Sequence, residues 1–241
     1  MTSESLREPA PPSRLTALIE VVAFVAIAII SKLIVDQFIW KFSGPITLIG
    51  TLVLITIYMR FKGMKWSDMG LRGLPGWKSK LLVLPQILLM AVVFAASVFF
   101  FTQALPAMGV EFMADDAEGV NERWGNIEGN LPVYLLWLGI VWTSAAFGEE
   151  MFFRGFLITR LEAVFRGMRF AAIPAVVIPA LIFGYGHFYY QGWSGLVMTG
   201  VIGLIFGSLF LVYKRNLWPL IIFHGLIDTL GMTAMYLGID A

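Results

Sequence analysis

From Leu15 to Leu237 the chain is a succession of apolar stretches, most of them long enough to cross a lipid bilayer, and this constrains it to an all-α, polytopic membrane bundle. The stretches run from Leu15 to Phe42, Ile46 to Tyr58, Leu81 to Leu105, Leu131 to Phe147, Phe170 to Phe188, Leu196 to Tyr213 and Leu217 to Leu237. The second reaches a bilayer thickness only with its flanks "SGPITLIG" and "MRFKG". About seven transmembrane helices are therefore predicted, with six to eight compatible with the boundaries. A hydrophobic content of 59% and a charged content of 14% agree. The first stretch is too long for a cleaved signal peptide and has no small-residue cleavage pattern, so it is expected to be a retained span.

A polar, cytoplasmic N-terminus is expected over residues 1–14, followed by a single integral-membrane domain over residues 15–241. The segment Arg60 to Lys80 holds six basic residues and one acid, whereas Leu105 to Leu131 holds six acids and one arginine. An excess of lysine and arginine marks the cytoplasmic side, so the N-terminus, Arg60 to Lys80, Arg160 to Arg169 and Tyr213 to Asn216 are assigned to the inside, with the cell membrane as the expected location. The acidic loop "MGVEFMADDAEGVNERWGNIEGN" then lies outside and is expected to carry a short interfacial helix.

A net charge of +1 and the absence of basic runs interleaved with aromatics give no nucleic-acid partner. The chain has no cysteine, which excludes disulfides, thiol catalysis and thiolate metal sites. What stands out is "FGEEMFFRG", two carboxylates and an arginine within apolar surroundings. On a helix Glu150 and Arg154 are four apart and share a face, so they can pair. Glu149 points about 100° away and is left free for acid/base chemistry. Intramembrane ionisable groups are costly and usually face a cavity or a partner. A helix end meeting lipid headgroups is the competing reading.

The chain has two histidines, His187 in "FGYGHF" and His224 in "FHGLID", and His224 shares a helical face with Asp228. If the chain reverses near Met168, Glu149 and His187 are equally distant from that turn and face each other at one level. His224 joins them if the Arg154 to Arg169 hairpin protrudes by about 10 residues, roughly 15 Å of helix. Gly203 and Gly207 form a small-xxx-small pair suited to close helix packing.

Glutamate and histidine together can hold a water and remove its proton as it attacks a carbonyl, while a second histidine stabilises the developing oxyanion. Hydrolysis of a peptide bond by Glu149 and His187 fits these residue types without a cofactor. Asp228 is then expected to orient His224. The rival chemistry is zinc held by Glu149, His187 and His224, although HExxH is absent.

"EEMFFR" at Glu149 to Arg154, "FGYGH" at Phe183 to His187 and "HGLID" at His224 to Asp228 resemble, in this order, the three motifs of the type II CAAX prenyl endopeptidase and bacteriocin-processing (CPBP or Abi) family. The resemblance spans about residues 131–237, the expected catalytic core. It implies a compact multispanning helical protease with a cavity open toward the cytoplasm. It also implies Glu149 as water activator, His187 as its water-positioning partner, Glu150 and Arg154 as a supporting pair, Phe183 as a further supporting residue, and His224 with Asp228 on the oxyanion side. Prenyl-processing relatives often carry asparagine where this chain has Asp228, and an ionised aspartate cannot donate a hydrogen bond. The expected partners are membrane lipids and a peptide, lipidated protein or membrane-protein substrate; the residues assign neither a prenyl group nor an oligomeric state. A noncatalytic immunity or interaction protein and a proton-coupled transporter are the alternatives from other classes.

Overall fold

The structure is a computed structural model that describes residues 12–110 and 118–239. Most of the expected polar N-terminus, and Glu111, Asp115 and Asp116 of the acidic loop, lie outside the described residues. Among the described residues every regular element is helical. Five helices are long and apolar enough to cross a membrane: α1 (Arg14–Phe61), α2 (Gly76–Ala107), α4 (Leu131–Val164), α5 (Ala172–Val212) and α6 (Trp218–Tyr236). Between α2 and α4 the short α3 (Glu118–Trp124) is the helix expected in the acidic loop.

Two of the five long helices fold back on themselves, which divides them into shorter arms. In α1 the backbone leaves helical geometry at Ile39, with φ −149° and ψ 64°. The arms then run antiparallel: the Tyr58 hydroxyl donates to Glu20 at 2.7 Å, and the Phe24 and Tyr58 rings lie 5.5 Å apart. The turn comes before the expected break at "SGP"; Pro45 falls in the early turns of the returning arm, where a proline ring meets little preceding helix. In α5 the reversal is at Gly192, whose φ of 61° and ψ of −153° suit glycine alone. Seven helical arms result.

Glycine brings the arms of α5 together. A Cβ on Gly184 would lie 2.5 Å from the Leu196 carbonyl oxygen and 3.0 Å from the Gly200 Cα, and one on Gly203 would lie 2.9 Å from the Ala180 Cα. Backbone atoms on both sides leave nothing to yield. Gly184→Ala is therefore expected to destabilise the fold by about 1–3 kcal/mol despite alanine's better helix propensity. Gly186→Ala, whose Cβ would meet nothing within 4 Å, should be neutral or stabilising. Thermal unfolding of the two variants in detergent checks the contrast; equal melting temperatures would refute the close-approach argument.

The core is built where the arms converge, from Phe24, Ile55, Met59, Met151, Phe156, Phe206, Phe210 and Leu220, all buried. Leu33, Val92, Leu181 and Leu230 point outward and stay exposed, as a lipid-facing surface requires. The basic segments gather at one end: Arg14 donates to the Arg166 carbonyl, Arg72 to the Lys214 carbonyl, and Leu217 N–H to Gly70 at 3.2 Å. At the opposite end Gly129 N–H donates to the Tyr236 carbonyl at 2.9 Å, and Trp40 packs on Tyr189. Glu20, an acid inside the first apolar stretch, is buried and pairs with Arg160 at 2.6 Å, tying α1 to the end of α4.

Candidate active site

The central part of α4, Val141–Ile158, is wound as a π-helix. Such winding is rare and often occurs at functional sites. Within it Glu150 and Arg154 are both buried and pair as their spacing predicts, Nη1 to Oε1 at 2.9 Å. The Arg154 guanidinium lies over the Phe183 and Phe206 rings, 4.9 and 5.1 Å from their centroids. Aromatic faces thus offset part of the cation's lost hydration. Glu150 Oε2 and Arg154 Nη2 have no protein partner, so the pair is held but not saturated.

His224, on α6, reaches this pair. Its Nδ1 is 2.8 Å from Glu150 Oε1, while Nε2 lies 3.5 Å from Asp228 Oδ2 and 3.8 Å from Glu149 Oε2. An ionised carboxylate accepts, so Nδ1 carries the hydrogen and Glu150 fixes the ring. The ring thus donates to Glu150 on a different helix, while Asp228, expected to orient His224, lies at the other ring nitrogen. Helical spacing brings Asp228 alongside His224, but only packing of α6 on α4 puts the nearer carboxylate on Nδ1. Glu149 is clear of Arg154, as expected, and faces the open side of the imidazole.

His187 is set by Phe183 in two ways. Its Nδ1 is 2.8 Å from the Phe183 carbonyl, which can only accept, and the rings lie 4.6 Å apart. A neutral His187 therefore keeps Nε2 bare as an acceptor. Phe183 consequently touches both the supporting arginine and this histidine.

One cavity of about 630 Å³ is lined by Glu149, His187, His224 and Asp228 together, with Phe152, Phe153 and Ile227 among its apolar walls. His224 is only six residues into α6 from Trp218, so the carboxylate cluster lies about 9 Å of helix from the basic end. Glu149 meets it because α4 overshoots: Gly155 is level with Leu217, whose side chain lies 3.3 Å from where a Gly155 Cβ would be. The helix then continues to Val164, about 13 Å further, which is the protrusion expected from counting. From the cluster the cavity extends the other way, to Asp36, Arg123 and Gln191. Its lining thus runs toward the end opposite the basic segments, whereas the resemblance implies an opening at the cytoplasmic face.

Two cations on this wall escaped the sequence reading. Lys32 pairs with Asp36 at 2.6 Å and sits 3.6 Å over the Tyr189 ring. Arg123, the one arginine of the acidic segment, is buried among Trp124, Trp137 and Tyr190. Its only signal in the sequence is its sign, opposite to that of its neighbours. Among the described residues no three histidine, aspartate or glutamate side chains are arranged to hold a metal ion.

Residues 131–230 match the family model described as type II CAAX prenyl endopeptidase Rce1-like. No curated protein and no solved structure matches the chain.

Proposed function

We propose, from the match of residues 131–230 to the type II CAAX prenyl endopeptidase Rce1-like family model, that the chain is an intramembrane endopeptidase in which Glu149 and His187 activate water directly. The observation that carries this reading is the His224 ring, held by Glu150 on one nitrogen and turned with the other toward Glu149 and Asp228 inside the shared cavity. With Glu149, Glu150, Asp228, His224 and Arg154 all ionised, the cluster carries one net negative charge. Uptake of one proton by Glu149 makes it neutral, which suits a general base in a poorly solvated site.

In the proposed reaction a water lies between Glu149 and the bare Nε2 of His187. Glu149 takes its proton as the oxygen attacks the scissile carbonyl, and the C=O electrons move onto oxygen. His224 donates to that oxyanion from Nε2, in the imidazolium form whose counter-charges are the surrounding carboxylates. The proton held by Glu149 then passes to the amide nitrogen, the C–N bond breaks, and a carboxylic acid, which keeps the water's other hydrogen, and an amine leave. Asp228 flanks the donor. Because Glu150 already holds the ring, Asp228→Asn is expected to keep turnover within about tenfold, and Asp228→Leu to lower kcat more than it raises KM. Normal turnover in the leucine variant would leave Asp228 as a packing residue.

The chain is an integral membrane protein with an apolar surface for lipid. The basic segments support a cytoplasmic N-terminus and the cell membrane as its location. The test is cleavage by purified protein in detergent of a peptide ending in a prenylated CAAX sequence and of its unprenylated counterpart, read by mass spectrometry with and without exhaustive chelation. Cleavage that survives chelation is expected, and preference for the prenylated peptide would assign the substrate class. Loss on chelation with recovery on adding zinc would replace direct activation by a metalloprotease mechanism through Glu149, His187 and His224.

A further inference from the structure

Four serine and threonine side chains are buried among the described residues: Ser43, Thr47, Thr51 and Ser144. Three of them turn back on their own helix. Thr47 donates to the Ser43 carbonyl at 2.7 Å, Thr51 to that of Thr47 at 2.8 Å, and the Ser43 hydroxyl lies 3.0 Å from the Trp40 carbonyl. This is the ordinary way to satisfy a hydroxyl within an apolar helix. Ser144 is 4% exposed and makes no such bond to α4, although its neighbour Thr143 donates to the Gly139 carbonyl at 2.6 Å. Its hydroxyl belongs instead to the wall of the cavity that holds Glu149.

Both residues lie in the π-wound part of α4, where residues five apart stack along the axis. Ser144 therefore stands one turn from Glu149 on the same face, in the direction in which the cavity extends. The walls at that level are small: Ala145 beside it, and on α6 Gly231, three residues past Asp228, where a Cβ would meet nothing within 4 Å. A main chain can approach there closely. A peptide lying in an apolar cavity places its apolar side chains at no penalty, but its carbonyls need a donor. One helical turn is on the order of 5 Å, and an extended chain advances about 3.3 Å per residue. The hydroxyl is thus level with the peptide units one or two residues from a bond held beside Glu149. We propose that Ser144 donates a hydrogen bond to a main-chain carbonyl of the substrate one or two residues from the scissile bond, anchoring the chain in extended form along α4. The carbonyls of a helical segment are already bonded within it, so the site favours a segment that unwinds over one that stays helical. This rests on the endopeptidase reading, which supplies the scissile bond, and extends it to the conformation in which substrate is held.

The test measures binding rather than turnover, on full-length protein in detergent carrying Glu149→Gln so that no peptide is consumed. The probes are a fluorescent peptide ending in a prenylated CAAX sequence and four analogues. In each analogue one of the two nearest peptide bonds on either side of the scissile bond is replaced by an (E)-alkene, which keeps the shape and removes the carbonyl. Ser144→Ala is expected to weaken binding of the all-amide peptide about three- to tenfold, the scale of one net hydrogen bond. For one analogue it should cause no loss, because that peptide has already given up the same bond. Ser144→Thr, which keeps the hydroxyl, should recover most of the affinity. The chain has no cysteine, so Ser144→Cys gives a second measurement that does not depend on the alanine variant. Bound all-amide peptide is expected to slow alkylation of that thiol by N-ethylmaleimide in proportion to its occupancy.

Unchanged affinity in folded Ser144→Ala, or binding of none of the peptides, would overturn the anchor. So would an equal loss for all five peptides, which would make Ser144 a packing residue, and an alkylation rate that saturating peptide leaves unchanged. A loss specific to one carbonyl, in a protein whose parent cleaves no peptide, would uphold the anchor while defeating the endopeptidase reading.

Discussion

Glu149→Gln is expected to fold like the parent and to cleave at least about 100-fold more slowly, within the 10²–10⁴ range of a lost general base. The substitution keeps the side chain's size and its place on the cavity wall but removes the group that takes the proton. Folding should not suffer, because Arg154 bonds Glu150, and Glu149 lies 3.8 Å from His224 without a hydrogen bond. Removing one of three neighbouring carboxylates relieves repulsion, so the melting temperature should stay level or rise. Single-turnover cleavage with enzyme in excess, beside a melting curve, separates the two effects. A variant that cleaves within tenfold of the parent would remove Glu149 from the reaction.

Arg154→Ala is expected to fail at an earlier stage, with little monodisperse protein recovered. Glu150 is fully buried, and its Oε1 accepts from both Arg154 and His224. Removing the arginine strands that carboxylate and empties the space between Phe183 and Phe206. Breaking a buried pair from one side costs about 3–5 kcal/mol, a large share of the stability of a protein this size. The double variant Glu150→Leu/Arg154→Met should recover folded yield, since apolar replacement of both partners is often neutral. It should remain inactive, because His224 then has nothing on Nδ1. Normal yield and cleavage in Arg154→Ala would refute the supporting pair; activity in the refolded double variant would refute Glu150 as the residue that orients His224.

Relations that lie along one chain segment were legible in the order of residues. Apolar length required membrane helices, and a spacing of four placed Arg154 beside Glu150, Phe183 beside His187 and Asp228 beside His224. These follow from the helical repeat and survive whatever the helices pack against. Counting residues from the turns also anticipated the protruding end of α4, because rise per residue is nearly constant. Contacts between helices were decided by tertiary structure alone. Which carboxylate reaches His224 Nδ1 depends on how α4 and α6 are rotated about their axes, and a rotation of one residue would exchange Glu149 for Glu150. The reversal at Ile39 has no glycine or proline at the turn itself, and the polar residues beside it, Asp36, Gln37 and Lys41, are equally compatible with a continuing helix. Arg123 and its aromatic enclosure draw on α3, α4 and α5. Three elements distant in sequence meet there only because burying their apolar faces packs the arms into one bundle, and that packing turns a lone basic residue in an acidic loop into a wall of the cavity.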